Sequence, residues 1–198
     1  MTSPLNQLAE RIHDIQTALE AEMEEQRRVF RYRLTQGRVV FEAEVAARHR
    51  AARERLASFL ARTRLLVVLI SPVIYALIVP FALLDLCVTL YQAICFPVYG
   101  IPKVRRRDHI VIDRQHLAYL NGLQKLNCMY CGYGNGLISF VREVAARTEA
   151  YWCPIKHAKR VVEPHSHYVH FVDFGDERAF QQRVEEQRKA LRDGTEPK

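Results

Sequence analysis

The feature that most constrains this chain is a long apolar segment at residues 65–98, in which Asp85 is the single charged residue. About 64 mostly polar residues come first, so we do not expect a secretory signal, whose apolar region starts near the N-terminus. As a helix, 34 residues are roughly 51 Å long, whereas the hydrocarbon core of a bilayer is about 30 Å thick. The segment therefore indicates membrane attachment and argues against one straight span.

Two prolines suggest how the segment is divided. Pro72 and Pro80 each remove a backbone hydrogen bond and disturb the preceding helical turn. Either the parts 65–79 and 81–98 form a helical hairpin, or one part spans while the other lies at the interface. Basic residues flank both ends, and because cytoplasmic flanks carry the excess of Lys and Arg, they favour the hairpin. Arms of about 22 to 27 Å predict a re-entrant or barely spanning hairpin.

The net charge of +7 comes mostly from arginine, and its position indicates the partner. The densest basic groups adjoin the apolar segment: Arg48, Arg50, Arg53, Arg55, Arg62 and Arg64 before it, and Lys103, Arg105, Arg106 and Arg107 after it. Such clusters are typical of proteins that contact a lipid bilayer with anionic lipid headgroups, and we do not expect nucleic acid as a partner. We expect location at a bacterial inner membrane, with both termini cytoplasmic.

One helical face of the apolar segment is polar. Asp85, Thr89 and Gln92 follow a spacing of four and three residues. Such a face could line an ion or proton path, because ionisable groups within membranes usually face a cavity. Alternatively, it packs against the other arm or another copy of the chain. We favour packing, since one acidic residue near an interface is little support for transport.

Residues 1–64 are predicted to be helical almost throughout. Ser3 and Pro4 form a typical helix start, and Gly37 predicts a break. Apolar residues then follow a spacing of alternating three and four: Leu5, Leu8, Ile12, Ile15 and Leu19. This pattern predicts either a coiled-coil seam that makes a homo-oligomer or an amphipathic helix that folds back on the soluble domain.

The C-terminal part is predicted to be a small α+β domain, at residues 101–176, in an otherwise mainly α chain with a charged C-terminal helix and tail at 177–198. We predict strands at 109–113 and 167–174 and helices at 114–127, 139–152 and 177–193. With the N-terminal region at 1–64 and the membrane segment at 65–100, this gives four regions.

Four residues of this domain point to a metal site. Cys128 and Cys131 form a CxxC followed by glycine, and Cys153 and His157 lie in a second patch that opens with Cys-Pro after Trp152. Two thiolates of a CxxC can converge on one ion, and the turn that follows suits glycine. These patches resemble the knuckles of rubredoxin and zinc-ribbon proteins, with histidine in place of the fourth cysteine. The resemblance implies a closed structural zinc site, with iron as the alternative.

Other interpretations of the same residues remain open. The CxxC could be a redox dithiol, although a thioredoxin-like context is not apparent, or its cysteines could be buried apolar residues. His165, His167 and His170 could form another site, but strand alternation would put them on both faces. The glycine-rich stretch at 132–136 could bind phosphate, but it lacks the known phosphate-loop motifs.

These observations predict a membrane-anchored, zinc-stabilised adaptor or scaffold protein, not an enzyme. An alternative is a rubredoxin-like, membrane-bound electron carrier with iron in the same site. A second alternative is a membrane enzyme that uses the histidines and acids around Asp108, His109, Asp113 and His116. No nucleophile and base with convincing spacing support the enzyme.

Overall fold

The computed structural model describes residues 4–35 and 38–195, and the chain is mainly helical, as predicted. The α-helices are α1 (Pro4–Val29), α2 (Ala43–Ala51), α3 (Leu56–Arg62), α4 (Leu65–Ala76), α5 (Ile78–Tyr99), α6 (Arg106–His109), α7 (Gly122–Trp152) and α8 (Glu177–Asp193). Two strands, β1 (Tyr32–Thr35) and β2 (Arg38–Phe41), and two 3-10 helices, Arg114–His116 and Ser166–His170, complete the described elements. The chain forms two compact units, Met1–Thr63 with Asp113–Asn127 and Arg64–Ile112 with Cys128–Lys198.

The first unit contains an antiparallel hairpin where the sequence predicted helix. β1 pairs with β2 from Tyr32 opposite Phe41 to Thr35 opposite Arg38. The Arg-Val-Val-Phe sequence of β2 has high strand propensity, which explains the difference. The predicted break at Gly37 and the predicted helix start at Ser3 lie outside the described residues. The side chains of Leu5, Leu8 and Ile12, three residues of the predicted seam, also lie outside the described part of α1.

In the second unit, α4 and α5 form one nearly continuous helical segment. Only Leu77 separates them, and its φ of −63° and ψ of −13° are close to helical values. α7 runs alongside in the same direction: Tyr130 contacts Ile74, and Tyr151 stacks on Tyr99 with ring centroids 4.7 Å apart. The predicted hairpin is not confirmed, because a single residue in helical conformation does not reverse the chain.

The core of the second unit forms where α5, α7 and the C-terminal segments meet. Phe96 of α5 and Leu137 and Phe140 of α7 are fully buried. Phe171 and Leu191 pack into the same cluster from the chain beyond α7. This packing fixes the orientation of α5 against α7, so the inner and outer faces of α5 are well defined.

Several elements after residue 101 differ from the prediction. Residues 109–113 are not a strand, since α6 ends at His109 and irregular chain follows. Residues 114–127 contain a 3-10 helix and a turn before α7 begins at Gly122. The segment 167–174 holds the second 3-10 helix, and Ile155 and Val172 form one isolated parallel bridge in place of a sheet. The predicted α+β domain is therefore helical in its described residues.

The glycine-rich part of α7 explains why one long helix replaces two shorter ones. A Cβ at position 134 would lie 3.0 Å from the Phe81 ring. A Cβ at position 136 would lie 2.7 Å from the Cα of Ile110. Glycine permits these close approaches, and the packing outweighs its low helix propensity.

Candidate functional site

The segment from Leu65 to Tyr99 is apolar, and much of its surface is not covered by the rest of the described chain. This stretch is long and apolar enough to cross a membrane; the mean hydropathy of its most apolar 18 residues is 2.6, and none of that part is buried inside the protein. A core helix of a soluble protein would bury such a surface because exposing apolar area to water is unfavourable. The exposure of this helix is compatible with membrane association.

Most of the strongly exposed apolar residues follow one side of α4 and α5, which we call the outer stripe; Leu66 and Ile70 of α4 are also exposed but lie outside it. Its members recur mostly at intervals of three or four, and each is more than half exposed: Leu65, Leu69, Val73, Val79, Leu83, Leu86, Leu90, Ile94 and Val98. Intervals of three and four keep side chains on one helical face. The stripe thus presents one continuous apolar edge along the whole segment.

The opposite, inner face of α5 carries the polar residues noted in the sequence. Asp85 accepts hydrogen bonds from Arg106 at 3.1 and 2.6 Å and from the Tyr133 hydroxyl at 3.0 Å. The Gln92 side chain, which is buried, pairs with the backbone of Val104: it accepts from the N–H at 3.0 Å and donates to the carbonyl at 3.4 Å. These contacts favour the packing interpretation, with α7 and the segment after α5 as partners in place of another arm or copy.

Two carbonyl groups near the prolines are satisfied by side chains. Because residue 72 is proline, the Val68 carbonyl lacks its usual helical donor, and the Ser71 hydroxyl donates to it at 2.8 Å. Close to the interruption at Leu77, the Tyr130 hydroxyl donates to the Ile74 carbonyl at 2.6 Å. In apolar surroundings an unsatisfied carbonyl is costly, so these bonds suit a helix that is removed from water.

The predicted zinc ligands are not brought together. Cys128 and Cys131 lie one turn apart on α7, while Cys153 and His157 follow its end. The helical rise places Cys131 and Cys153 roughly 33 Å apart, whereas zinc needs all its thiolates at about 2.3 Å. His157 is engaged elsewhere: its backbone N–H donates to the Tyr168 hydroxyl at 2.7 Å, and its ring stacks on Tyr168.

The remaining cysteines and histidines also form no cluster that fits a metal. Within residues 4–35 and 38–195, no group of three or more His, Cys, Asp and Glu side chains could hold an ion. The glycines that suggested a knuckle turn lie inside α7. In this fold the likeness to rubredoxin and zinc-ribbon knuckles is confined to the sequence.

Two histidines from the segment after α7 contact acidic side chains of that helix. His165 lies 2.9 Å from the Glu149 carboxylate, and His167 lies 3.4 Å from the Glu143 carboxylate. Arg147 donates to the same oxygen of Glu143 at 2.7 Å. Burial alone would raise the pKa of Glu143, but the hydrogen bonds from His167 and Arg147 outweigh it and lower the pKa to about 2.

The acids and histidines proposed for an enzyme are divided among different contacts. Asp108 pairs with Arg105 at 2.8 Å, and His109 lies 2.9 Å from the Ser139 hydroxyl. Asp113 and His116 belong to the first unit, whereas His109 belongs to the second. The contacts of Asp108 and His109 thus go to two different partners.

The sequence did not reveal the contacts of Arg106 and Glu143. Arg106 binds Asp85 on the inner face of α5, and Glu143 contacts His167 in the chain after α7. Arg106 is 21 residues from Asp85, and Glu143 is 24 residues from His167, so only the tertiary fold brings them together. A search of protein-family models, characterised proteins and solved structures found nothing that matches this chain.

Proposed function

We propose that this chain is a membrane-attached adaptor or scaffold protein, not an enzyme. The observation that carries the proposal is the outer stripe, because nine large apolar side chains in one line lie more than half exposed. Burial of apolar surface contributes roughly 25 cal/mol per Å², so transfer of this edge into lipid would be strongly favourable.

Basic residues at both ends of the segment support anionic lipid headgroups as the polar part of the partner. Arg64 precedes α4 and is exposed. Beyond α5, the side chains of Arg105 and Arg107 are 69% and 80% exposed, and Lys103 is exposed as well. A basic residue close to an anionic surface contributes about 1 kcal/mol.

A non-enzymatic role is supported by the use of the polar side chains. Asp85, Glu143 and Glu149 each pair with a cation or a histidine from a different segment of the second unit. These contacts join chain segments to α5 and α7. Such a unit would present a rigid, charged surface at the membrane for a protein partner.

The test is flotation of the full chain with vesicles of phosphatidylcholine and phosphatidylglycerol. We expect the chain to float, and we expect lysine at Val73, Leu83 and Leu90 to abolish flotation. A matched control carries lysine at Val162, Val169 and Phe174, which are equally exposed but lie away from the stripe; it should float. Wild-type protein that stays at the bottom of the gradient, or a stripe variant that still floats, would overturn the proposal.

Zinc stabilisation through Cys128, Cys131, Cys153 and His157 stays a prediction from the sequence, as does iron in the electron-carrier alternative. Both require α7 to unwind between the two pairs of ligands. Elemental analysis of protein purified without chelators tests them. An equivalent of zinc that is lost in Cys131→Ser would support the site, whereas less than about half an equivalent would dismiss it.

A further inference from the structure

The length of the apolar segment is a first constraint on how it meets a membrane. Its 35 residues are about 52 Å long as a helix, well beyond the hydrocarbon thickness of about 30 Å. A helix that lies in the plane of the membrane has no such limit. Length alone therefore favours an in-plane helix or a strongly bent one, and the faces of α5 distinguish these.

The two faces of α5 differ along the same part of the helix. Leu86, Leu90 and Ile94 of the outer stripe are more than half exposed. At the same level, Gln92 and Phe96 are buried against the chain's own segments. A helix surrounded by lipid would be apolar on all exposed sides, whereas α5 has one apolar exposed face and one protein-covered face.

The segment after α5 returns along this inner face. The Ile101 N–H donates to the Phe96 carbonyl, Val104 pairs with Gln92, and Arg106 pairs with Asp85. Successive contacts thus move back along α5 from its end towards its middle. We call residues 101–110 the return segment.

The return segment could not lie in hydrocarbon. It is mostly not helical, and it carries five charged residues, all exposed: Lys103, Arg105, Arg106, Arg107 and Asp108. In lipid, non-helical backbone lacks water to satisfy its polar groups, and each charge adds a further cost. Water must therefore reach the inner side of α5 at every level from Asp85 to Phe96.

The second half of α7 gives the same result independently. It runs beside α5, where the Tyr91 hydroxyl lies 3.0 Å from the Thr148 hydroxyl. Its charged residues, among them Arg142, Glu143 and Arg147, lie at this level. Lipid is thus excluded from the α7 side of α5 as well as from the return segment.

We infer that α4 and α5 lie in the plane of one membrane leaflet, and that the chain does not cross the bilayer. The inference rests on the membrane attachment proposed above and specifies its geometry. The outer stripe contacts the acyl chains, while the return segment and the charged half of α7 face water. α4 belongs to the same leaflet because Leu77 joins it to α5 in a nearly helical conformation, and Leu66 and Ile70, exposed on its other sides, give it a wider contact with lipid.

Spin-label depth measurements on the full chain test this geometry. Single cysteines at Leu69, Leu83, Leu90 and Val98 are introduced after the native cysteines are changed to serine, and the labelled protein is bound to vesicles of phosphatidylcholine and phosphatidylglycerol. The depth of each label is obtained from the ratio of its collision rate with oxygen, which concentrates in the bilayer, to its collision rate with a water-soluble nickel chelate. We expect all four labels in the acyl region of one leaflet, with Leu69 of α4 no further from the headgroups than the middle of the bilayer, and labels at Lys103 and Arg107 in water.

The outcomes separate this inference from the proposed function. Failure to float would overturn both. Flotation with a depth profile that passes through the bilayer centre and reaches the opposite headgroups would overturn the in-plane geometry alone. Labels on the outer stripe could instead be shielded from oxygen and show magnetic coupling to the labels of a second copy of the chain. That result would place the stripe in a dimer interface and would overturn the inference.

If the cysteine-free variant does not fold, the native cysteines test whether the outer stripe of α5 contacts lipid, which the in-plane geometry requires. Cys87 is exposed beside the stripe, and Cys153 is exposed beyond the end of α7. A membrane-impermeant maleimide added outside the vesicles should label Cys153 fully, and bound vesicles should reduce labelling of Cys87 at least severalfold. Equal labelling of Cys87 with and without vesicles would overturn the inference.

Discussion

At the residue scale, Arg106 holds the return segment against α5 through Asp85. The Asp85 side chain is mostly buried and is bound at both oxygens by the guanidinium of Arg106. Paired hydrogen bonds to a carboxylate are stronger than neutral ones, and removal of one partner leaves the other without compensation.

We therefore expect Arg106→Met, which keeps most of the aliphatic stem, to lower the free energy of unfolding by about 1–2 kcal/mol. Arg107→Met is the matched control, because the Arg107 side chain is 80% exposed and its ion pair with Asp108 is long, at 3.8 Å. Thermal unfolding in detergent measures both variants. Equal melting temperatures for the two would show that the Asp85 pair does not stabilise the unit.

Glu143 makes stability depend on acid pH. Its pKa is lowered to about 2 from an ordinary 4.5, because the hydrogen bonds from His167 and Arg147 outweigh the opposing effect of burial. The folded state therefore holds this proton less tightly than the unfolded state does. The resulting stability is fully present above about pH 4.5 and is lost as the pH falls towards 2.

The contribution is about 2 kcal/mol, because one pKa unit is about 1.4 kcal/mol and solvent screening of the partly exposed carboxylate reduces the full value. Denaturant unfolding should show that wild type is more stable than Glu143→Gln at pH 6. The difference in unfolding free energy between the two proteins should be much smaller at pH 3. Glu185→Gln, at an exposed position of α8, should follow the wild type at both. Parallel curves for wild type and Glu143→Gln would contradict the assigned contacts.

At the element scale, prediction succeeded where local chemistry sets the boundaries. α8 spans Glu177–Asp193 as predicted; the Asp176 side chain accepts from the Ala179 N–H at its start, and Gly194 has a φ of 65° at its end. The predicted hairpin is not confirmed, since the prolines are accommodated within nearly continuous helix. Pro80 lies in the first turn of α5, where its missing N–H has no helical partner, and Ser71 compensates for Pro72.

The candidate metal site shows the opposite case. CxxC followed by glycine is a local pattern, but Gly134 and Gly136, in the same stretch, lie close against Phe81 and Ile110, which are distant in sequence. This packing accompanies one long helix, which separates Cys128 and Cys131 from Cys153 and His157. A single sequence does not reveal such long-range packing.

This role of α7 predicts that Gly136→Ala is destabilising. Its Cβ would lie 2.7 Å from the Ile110 Cα and 2.8 Å from the His109 carbonyl oxygen, and backbone atoms yield less readily than side chains. We expect a loss of about 1–3 kcal/mol. Gly122→Ala, which meets nothing within 4 Å, should be neutral or slightly stabilising. Equal stability of the two variants, measured by thermal unfolding, would refute close packing at position 136.

At the scale of the whole molecule, the start of the apolar segment was easier to predict than the organisation beyond it. Helix α4 begins at Leu65, the first residue of the apolar segment. By contrast, Asp113–Asn127 groups with the N-terminal residues, although the sequence placed it within the C-terminal domain. Abrupt changes in hydropathy are visible in a sequence, whereas this grouping depends on contacts such as those of His49 with Tyr119, 70 residues later.

Self-association of the whole chain is the last prediction, and α1 is where it would occur. The predicted seam runs from Leu5 to Leu19, and of its members with described side chains, Ile15 is 68% exposed and Leu19 is 58% exposed. Two neighbouring apolar residues on one exposed helical face favour contact with another helix, because a second copy would remove them from water.

We expect the detergent-solubilised chain to form an oligomer, and we expect Ile15→Asp with Leu19→Asp to shift it to a monomer. Aspartate at Thr17 and Ala21 adds the same charge on the other side of α1 and should leave the oligomer intact. Light scattering coupled to size exclusion measures the protein mass of each. An unchanged mass in the seam variant, or equal loss of the oligomer in both, would rule out this seam as the contact and leave α1 as an amphipathic helix that associates with its own chain.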